Sequence, residues 1–316
     1  MAESNTDYDN PWKSIIEKHF RDFIQFFFPW IAPDINWLQP IRFLDKELQK
    51  VVRDAEVKKR YADKLVEVHK LDGETTLVLC HIEVQSQEES NFAARMYSYN
   101  ARLRDRYNCA VASLAILGDD RSNWRPTRFQ TGLWGCSLQF EFPIVKLLDY
   151  QADWAALENS DNPFAVVVMA HLKTKETHKA LAERKRWKFQ LITLLYDRGY
   201  GEQDILEMYH FLDWLMQLPE ALERQFQIEL EQFEESRQMK YVTAIERMAE
   251  ARGEQRGEQR GEQRGEQRGE QRGEQRQKQL IALNMLKDNL PVEQIIRLTG
   301  LSVAQLQQLQ ADQSQK

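Results

Sequence analysis

No run of apolar residues in this chain approaches the ~18 that a membrane-spanning helix needs. The greasiest stretch, Phe23 to Ile35, is interrupted by Gln25, Pro29 and Pro33. The opening residues, MAESNTDYDN, are polar and acidic and lack the basic-then-apolar pattern of a secretory signal. Cysteine is scarce. Cys80, Cys109 and Cys136 are odd in number and sit in apolar surroundings, so they read as small core residues of a reducing cytoplasm and not as disulfides or ligands. An excess of positive charge is missing too. Against 43 Lys and Arg stand 49 Asp and Glu, a net charge of −6, which argues against coating nucleic acid by bulk charge. A local basic stripe beside an acidic metal site is still compatible with that balance. There is no phosphate loop, nucleophile elbow, His-Glu-x-x-His or Cys-x-x-Cys.

What is present centres on residues 62–87, ADKLVEVHKLDGETTLVLCHIEVQSQ. DKLVEVH and TTLVLCHIEVQ have the aliphatic, β-branched content of strands, and Asp72-Gly73 between them signals a hairpin. In the second strand Val78, Cys80, Ile82 and Val84 share one face, the expected buried one. Leu77, Leu79, His81, Glu83 and Gln85 share the other, which turns polar toward its end. A three-residue loop, Leu71-Asp72-Gly73, requires the left-handed conformation at Gly73. It sets Asp63 opposite His81 with Glu83 one diagonal away, roughly 7–8 Å at Cα and within reach of one divalent ion. A two-residue loop would set Asp63 opposite Ile82, on the greasy face. Taken alone, a Glu and a Gln on one strand face are ordinary solvated residues.

Asp63 followed some twenty residues later by Glu83-Val84-Gln85 resembles the PD-(D/E)XK nuclease core, with Gln in the position of the motif Lys. HIEVQSQ followed by FAARMYSYNARLRDRY is similar to the Rpn family of recombination-promoting nucleases and transposases. PWKSIIEKHFRDFIQFFFPWI, FLDKELQKVVRDAE, WRPTRF, FPIVKLLDY and NPFAVVVMAHL resemble the flanking blocks of that family in the same order, over roughly residues 8–250. The resemblance implies a metal-dependent DNA endonuclease associated with recombination or transposition. Asp63 and Glu83 would hold Mg²⁺ (or Mn²⁺), and Gln85 would bind the water that the motif Lys orients elsewhere. The resembling subfamily carries Gln there too. A helix before the first core strand supplies a further acid in such nucleases. Glu47, on the helix read over Leu44 to Asp54, is the candidate, with Asp45 the alternative and a plain surface acid the bland reading. Arg95 or Lys64 would supply the charge that Gln85 lacks, and His81 reads equally as a base or as a packed residue.

The rest of the chain supports an α/β class, a restriction-endonuclease-like mixed sheet with flanking helices. Asn10-Pro11 starts a helix with Trp12, Ile15, Ile16, His19, Phe20 and Phe23 at core spacing. His19 reads as a packed histidine. Ser90 or Asn91 caps a helix to about Tyr107 with Phe92, Met96, Tyr99 and Leu103 inward. Arg95, Arg102 and Arg106 run beside that stripe as candidates for DNA-phosphate binding, or as a solvated face. Ala110 to Gly118 reads as a buried central strand and Leu133 to Phe142 as another. Helices follow over Phe164–His171, Arg184–Arg198, Ile205–Leu218 and Ala221–Glu250, with His171 and His178 structural. The expected divisions are a nuclease-like domain at 8–160, a helical region at 161–250, a repeat linker at 251–277 and a helix-turn-helix-like tail at 278–316.

The repeat is six perfect copies of Gly-Glu-Gln-Arg from Gly253 to Arg276. On a helix this period stacks Glu on Glu and Arg on Arg, and each glycine costs about 1 kcal/mol against Ala. A flexible linker grown by repeat slippage, or opposite charge stripes pairing two chains in a homo-oligomer, are both readings of it. In the tail, Gly300 stops one helix and Ser302 caps the next. Its second helix offers Gln305, Gln307, Gln308 and Gln310 and no basic residue before Lys316, which suits an interaction hairpin better than a reader of base edges. The alternative to a DNA nuclease is a non-catalytic assembly protein on a relic nuclease fold.

Overall fold

The computed structural model describes residues 11–45, 48, 64–83, 89–239 and 241–243, and 273–309 except 274, 287, 289, 303 and 308. It forms two compact units, Met1–Thr243 and Ala244–Lys316. The helical half, expected as a region of its own, belongs to the first unit together with the sheet.

The first unit is a mixed α/β structure. Helices α1 (Pro11–Lys18) and α2 (Phe20–Phe27) lead into β1 (Arg42–Phe43), β2 (Lys64–His69) and β3 (Thr75–Glu83). Helix α3 (Phe92–Tyr107) then crosses to β4 (Ala110–Leu117), and a ribbon of β5 (Arg128–Leu133) and β6 (Cys136–Glu141) precedes β7 (Ile144–Lys146). The main sheet runs β1-β2-β3-β4-β7, antiparallel up to β3 and parallel from β3 through β7. Parallel neighbours need a crossover connection. Between β3 and β4, α3 supplies it.

Trp12, Ile15, Ile16, Phe20 and Phe23 are all buried, as their spacing predicts, but the chain breaks at His19 and restarts as α2. Phe92, Met96, Tyr99 and Leu103 are the inner stripe of α3. Tyr99 and Leu103 pack on Leu65 of β2, while Phe92 and Met96 pack on Ala115 and Leu117 of β4. The strand face expected to turn toward solvent is therefore covered by α3 at Leu65, and the opposite face is closed as well, with Val66, Leu114 and Ile116 buried. Asn100 fastens the helix to the sheet. Its amide donates to the Val111 carbonyl at 2.9 Å and to the Ser113 hydroxyl at 3.0 Å.

Two expectations change in the ribbon. Leu133 to Phe142 is not one strand, because Trp134 (φ +51°) and Gly135 (φ +90°) reverse the chain within it. Cys136 then falls on the exposed ribbon, outside the core, while Cys109 is half-buried.

After α4 (Trp154–Glu158), the helical half comprises α5 (Pro163–Glu176), α6 (Leu181–Asp197), α7 (Glu202–Leu215) and α8 (Glu220–Ser236). Helix α5 is buried from Pro163 through Leu172, which makes it the central element. Asn162 caps it at Phe164 N (3.0 Å) and ties it to α2 by donating to the Asp22 carbonyl at 2.9 Å. His171, deep on α5, shares a 2.9 Å hydrogen bond with the Gly118 carbonyl at the end of β4. A carbonyl only accepts, so Nε2 carries the proton. Lys188, fully buried on α6, bridges Asp213 (2.7 Å) and Glu223 (2.9 Å). Helix α8 stops at Ser236, well short of Glu250, because the buried Glu234 carboxylate accepts the N–H groups of Tyr241 (3.0 Å), Val242 (2.8 Å) and Thr243 (3.1 Å). Those donors lie beyond the bend at Gln238 (φ +57°).

In the second unit, residues 275–286 are helical and α9 runs Val292–Thr299. Ala282, Ile295, Leu301 and Leu306 form its core. Gly300 (φ +69°) ends α9, and Ser302 and Gln305 cap reciprocally, backbone N–H to side-chain oxygen in both directions. The GEQR copies from Gly253 through Arg272 lie outside the described residues.

Two measurements check this packing. Asn100→Ala strips the buried Ser113 hydroxyl and the half-buried Val111 carbonyl of their donor and should lower the unfolding free energy by about 1–3 kcal/mol in urea melts. His171 is held neutral chiefly by burial, with Lys175 adding repulsion, so its pKa falls from 6.5 to about 4. The unfolded chain therefore takes up that proton first on acidification. Its contribution is complete above about pH 6.5 and lost progressively toward about pH 4, at a slope of up to about 1.4 kcal/mol per pH unit. His171→Gln, which keeps a donor, should flatten the stability profile across that window.

Candidate active site

The turn decides the site's register. Lys70 N donates to the Glu74 carbonyl at 2.9 Å, Gly73 N to the Lys70 carbonyl at 3.1 Å, and Gly73 has φ +87°. Asp72 accepts from the Lys70 ammonium at 2.6 Å and from Glu74 N at 3.0 Å, which hold its carboxyl below the usual carboxylate range. The loop is thus Leu71-Asp72-Gly73, three residues long. The ladder above it pairs His69 with Thr75, Leu65 with Leu79 and Lys64 with Cys80.

Of the sequence-derived site residues, Asp63, Gln85 and Glu47 lie outside the described residues, and Glu83 is described by its backbone. Glu83 closes β3 opposite Leu117 of β4, and Leu117 in turn pairs with Lys146 of β7. This row lies at the carboxyl ends of three parallel strands, the edge where α/β sheets open their crevices. The first turns of α3 cover the same edge through Phe92 and Met96.

The arginine row of α3 divides. At about 100° per residue, Arg102 and Arg106 fall within roughly 20° of Arg95, one on either side. They flank the helix away from Tyr97, which stacks on Phe129 of the ribbon at 5.2 Å. Arg102 and Arg106 are exposed, whereas Arg95 is buried, bound to Glu89 and laid over the Phe92 ring at 5.3 Å. Arg95 is therefore paired in place at this end of α3, and Arg102 and Arg106 are the exposed members of the row. Glu89, six residues before Arg95, is a partner of that arginine that nothing in the sequence singles out.

Two other expectations resolve. Lys64 does not serve the Leu65–Leu79 face, because its alternation turns it to the opposite side. There its ammonium lies 2.6 Å from both Glu17 of α1 and Asp45. Asp45, the alternative acid, is thereby engaged with Lys64. A second buried cation had no signal in the sequence. Lys146 lies 2.5 Å from Asp119 and 3.2 Å from the Trp124 carbonyl, with its ammonium 5.6 Å from the Trp124 ring. Only the LGDD run after β4 hints at that acid, since its lysine comes from twenty-seven residues further on. Both lysines are neutralised in place and read as structural. Among the described residues no three His, Cys, Asp or Glu side chains converge as a metal-binding group.

No protein-family model matches the chain, nor does any curated protein or solved structure. The positive φ at Gly73 makes the register testable by itself. Gly73→Val forces a β-branched side chain into the left-handed region and should cost about 1–2 kcal/mol in thermal or urea melts. Asp72→Ala, which keeps Gly73, should cost less.

Proposed function

We propose that the chain is a metal-dependent DNA endonuclease with a PD-(D/E)XK, restriction-endonuclease-like core of the Rpn type. The observation that carries this reading is the three-residue turn with Lys64 opposite Cys80. The count from that turn carries the expectation that Asp63 would stand opposite His81, with Glu83 on the adjacent diagonal. The order β2, β3, α3, β4 and the placement of Glu83 at the carboxyl edge of the parallel strands are what such a core requires.

In this proposal Asp63 and Glu83 are hard oxygen ligands for Mg²⁺ or Mn²⁺, with water and a substrate phosphate completing the shell. The bound ion would polarise the phosphate and lower the pKa of its water. Gln85 hydrogen-bonds that water without adding charge, and Glu47 is the further acid. Arg95, paired with Glu89 beside Phe92, orders this end of α3 and brings no uncompensated charge, while the exposed Arg102 and Arg106 would hold the DNA backbone. An acidic overall charge is compatible with this arrangement, because the contacts are local.

The test is supercoiled plasmid incubated with the full chain and Mg²⁺ or Mn²⁺, beside Asp63→Ala and Glu83→Ala. Nicking or linearisation that needs the metal and disappears in both variants is the expected result. Intact plasmid with either metal, from protein that melts cooperatively, would shift the reading to a non-catalytic assembly protein on a relic fold.

A further inference from the structure

The β5–β6 ribbon carries features that phosphodiester chemistry does not use. Its twelve residues from Phe129 through Phe140 hold no charge, in a chain of which 29% is Asp, Glu, Lys or Arg. Among the described residues it is a sheet of two strands, so each strand has an outer edge without a partner strand there. Its tip places Trp134 at 95% and Leu133 at 65% exposure. Proteins ordinarily guard open edges with charge, proline or bulges. Here β6 has none of these between Cys136 and Phe140.

The pairing pattern shows which backbone groups are available. The turn at Trp134-Gly135 has two residues, so Leu133 and Cys136 exchange both hydrogen bonds, and the pattern alternates from there. Ser137, Gln139 and Glu141 therefore aim their N–H and C=O groups outward from β6. Tyr97 of α3 rests on Phe129 of β5 at 5.2 Å and on Phe140 of β6 at 5.8 Å, but the backbone of α3 runs closer to β5, which leaves β6 as the more approachable edge.

We propose that β6 pairs with β6 of a second copy of this chain about a two-fold axis at Gln139, joining two ribbons into a four-stranded antiparallel sheet. This inference stands apart from the nuclease reading. Self-pairing at Gln139 sets Ser137 opposite Glu141 of the other copy, so no like charges meet. A two-fold centred on Glu141 would oppose two carboxylates. The same register brings Trp134 level with residue 144 of the other copy. There the base of the ribbon opens a groove of about 820 Å³ lined by Arg125, Pro126, Thr127, Arg128, Phe142 and Pro143, with Glu141. An indole suits such a lining, with two prolines and a phenylalanine for its ring and two arginines for its π face. The contact is reciprocal, since each copy offers one tryptophan and one groove, as a closed two-fold interface requires. Neither nucleic acid, which needs cationic contacts along the ribbon, nor an acidic or basic protein finds matching charge on these twelve residues.

Cysteine cross-linking of the full chain tests the register. Residues exchanging hydrogen bonds across an antiparallel pair lie roughly 5.5 Å apart at Cα, within disulfide range. In a Cys136→Ser background, Gln139→Cys should form covalent dimers under mild oxidation. Gln130→Cys, the outward-facing counterpart on β5, should not. Adding Trp134→Ala should weaken association about tenfold or more, as for loss of an anchoring tryptophan. Gln139→Pro removes an outward N–H without touching the β5–β6 bonds, and should leave the ribbon intact while lowering the mass measured by light scattering. Failure of Gln139→Cys to cross-link, or equal cross-linking through Gln130→Cys, overturns the proposal, even if the chain associates through its C-terminal unit.

Discussion

Gly73, at φ +87°, lets three residues reverse the chain between β2 and β3. Side chains alternate along a strand with period two, so the number of residues in that turn decides which face every later residue of β3 occupies. One residue fewer would exchange the two faces of the strand. Leu65 would no longer share a side with Leu79, and the stripe of α3 formed by Tyr99 and Leu103 would lose the surface it covers. Parallel pairing of β3 with β4 carries the same phase across the sheet, through Ser113 to the amide of Asn100 and through Leu117 to Phe92 and Met96. A local backbone preference thus propagates into the packing of a whole layer.

The unit closed in this way holds an unusual set of buried charges. Lys64, Lys146 and Lys188 are each almost wholly withdrawn from water and each meets at least one carboxylate. Taking an ammonium out of water costs several kcal/mol, and a close acid mainly offsets that cost without adding net stability. What such pairs contribute is position. Lys64 fixes α1 and Asp45 to β2, Lys146 fixes the loop after β4 to β7, and Lys188 fixes α6 to α7 and α8. Each of the three lysines thereby indexes its own strand or helix to the neighbours that carry its acids.

Features set by nearby residues were legible in the sequence. The hairpin at Asp72-Gly73 follows from Asp-Gly chemistry, the inner stripe of α3 from its spacing, and the cap at Ser302 from its place just after the helix-stopping Gly300. Features set by distant partners were not. The sequence around Lys64 says nothing of Glu17, forty-seven residues earlier, and α8 looks helical well past Ser236 because its terminator is Glu234 reaching forward to residues 241–243. Strand β5 escaped notice for another reason. Arg128, Gln130 and Thr131 are exposed on a projecting ribbon, so no buried face imposes the alternation by which strands are recognised. Its turn uses Trp-Gly in place of the usual Asn-Gly or Asp-Gly. The face beside β3 looked half-solvated because Glu83 and Gln85 follow Leu77 and Leu79, yet the cover over it comes from a helix whose own stripe was read correctly.

The carboxylate of Glu234 has a consequence for how this chain can change over generations. Tyr196 and the Thr243 hydroxyl also donate to it, so one buried acid binds α6, the end of α8 and the stretch through Thr243 into a closed edge. Ten residues beyond that edge the chain enters six identical tetrads. Because the seal lies upstream, copies can come and go without any donor to Glu234 being lost.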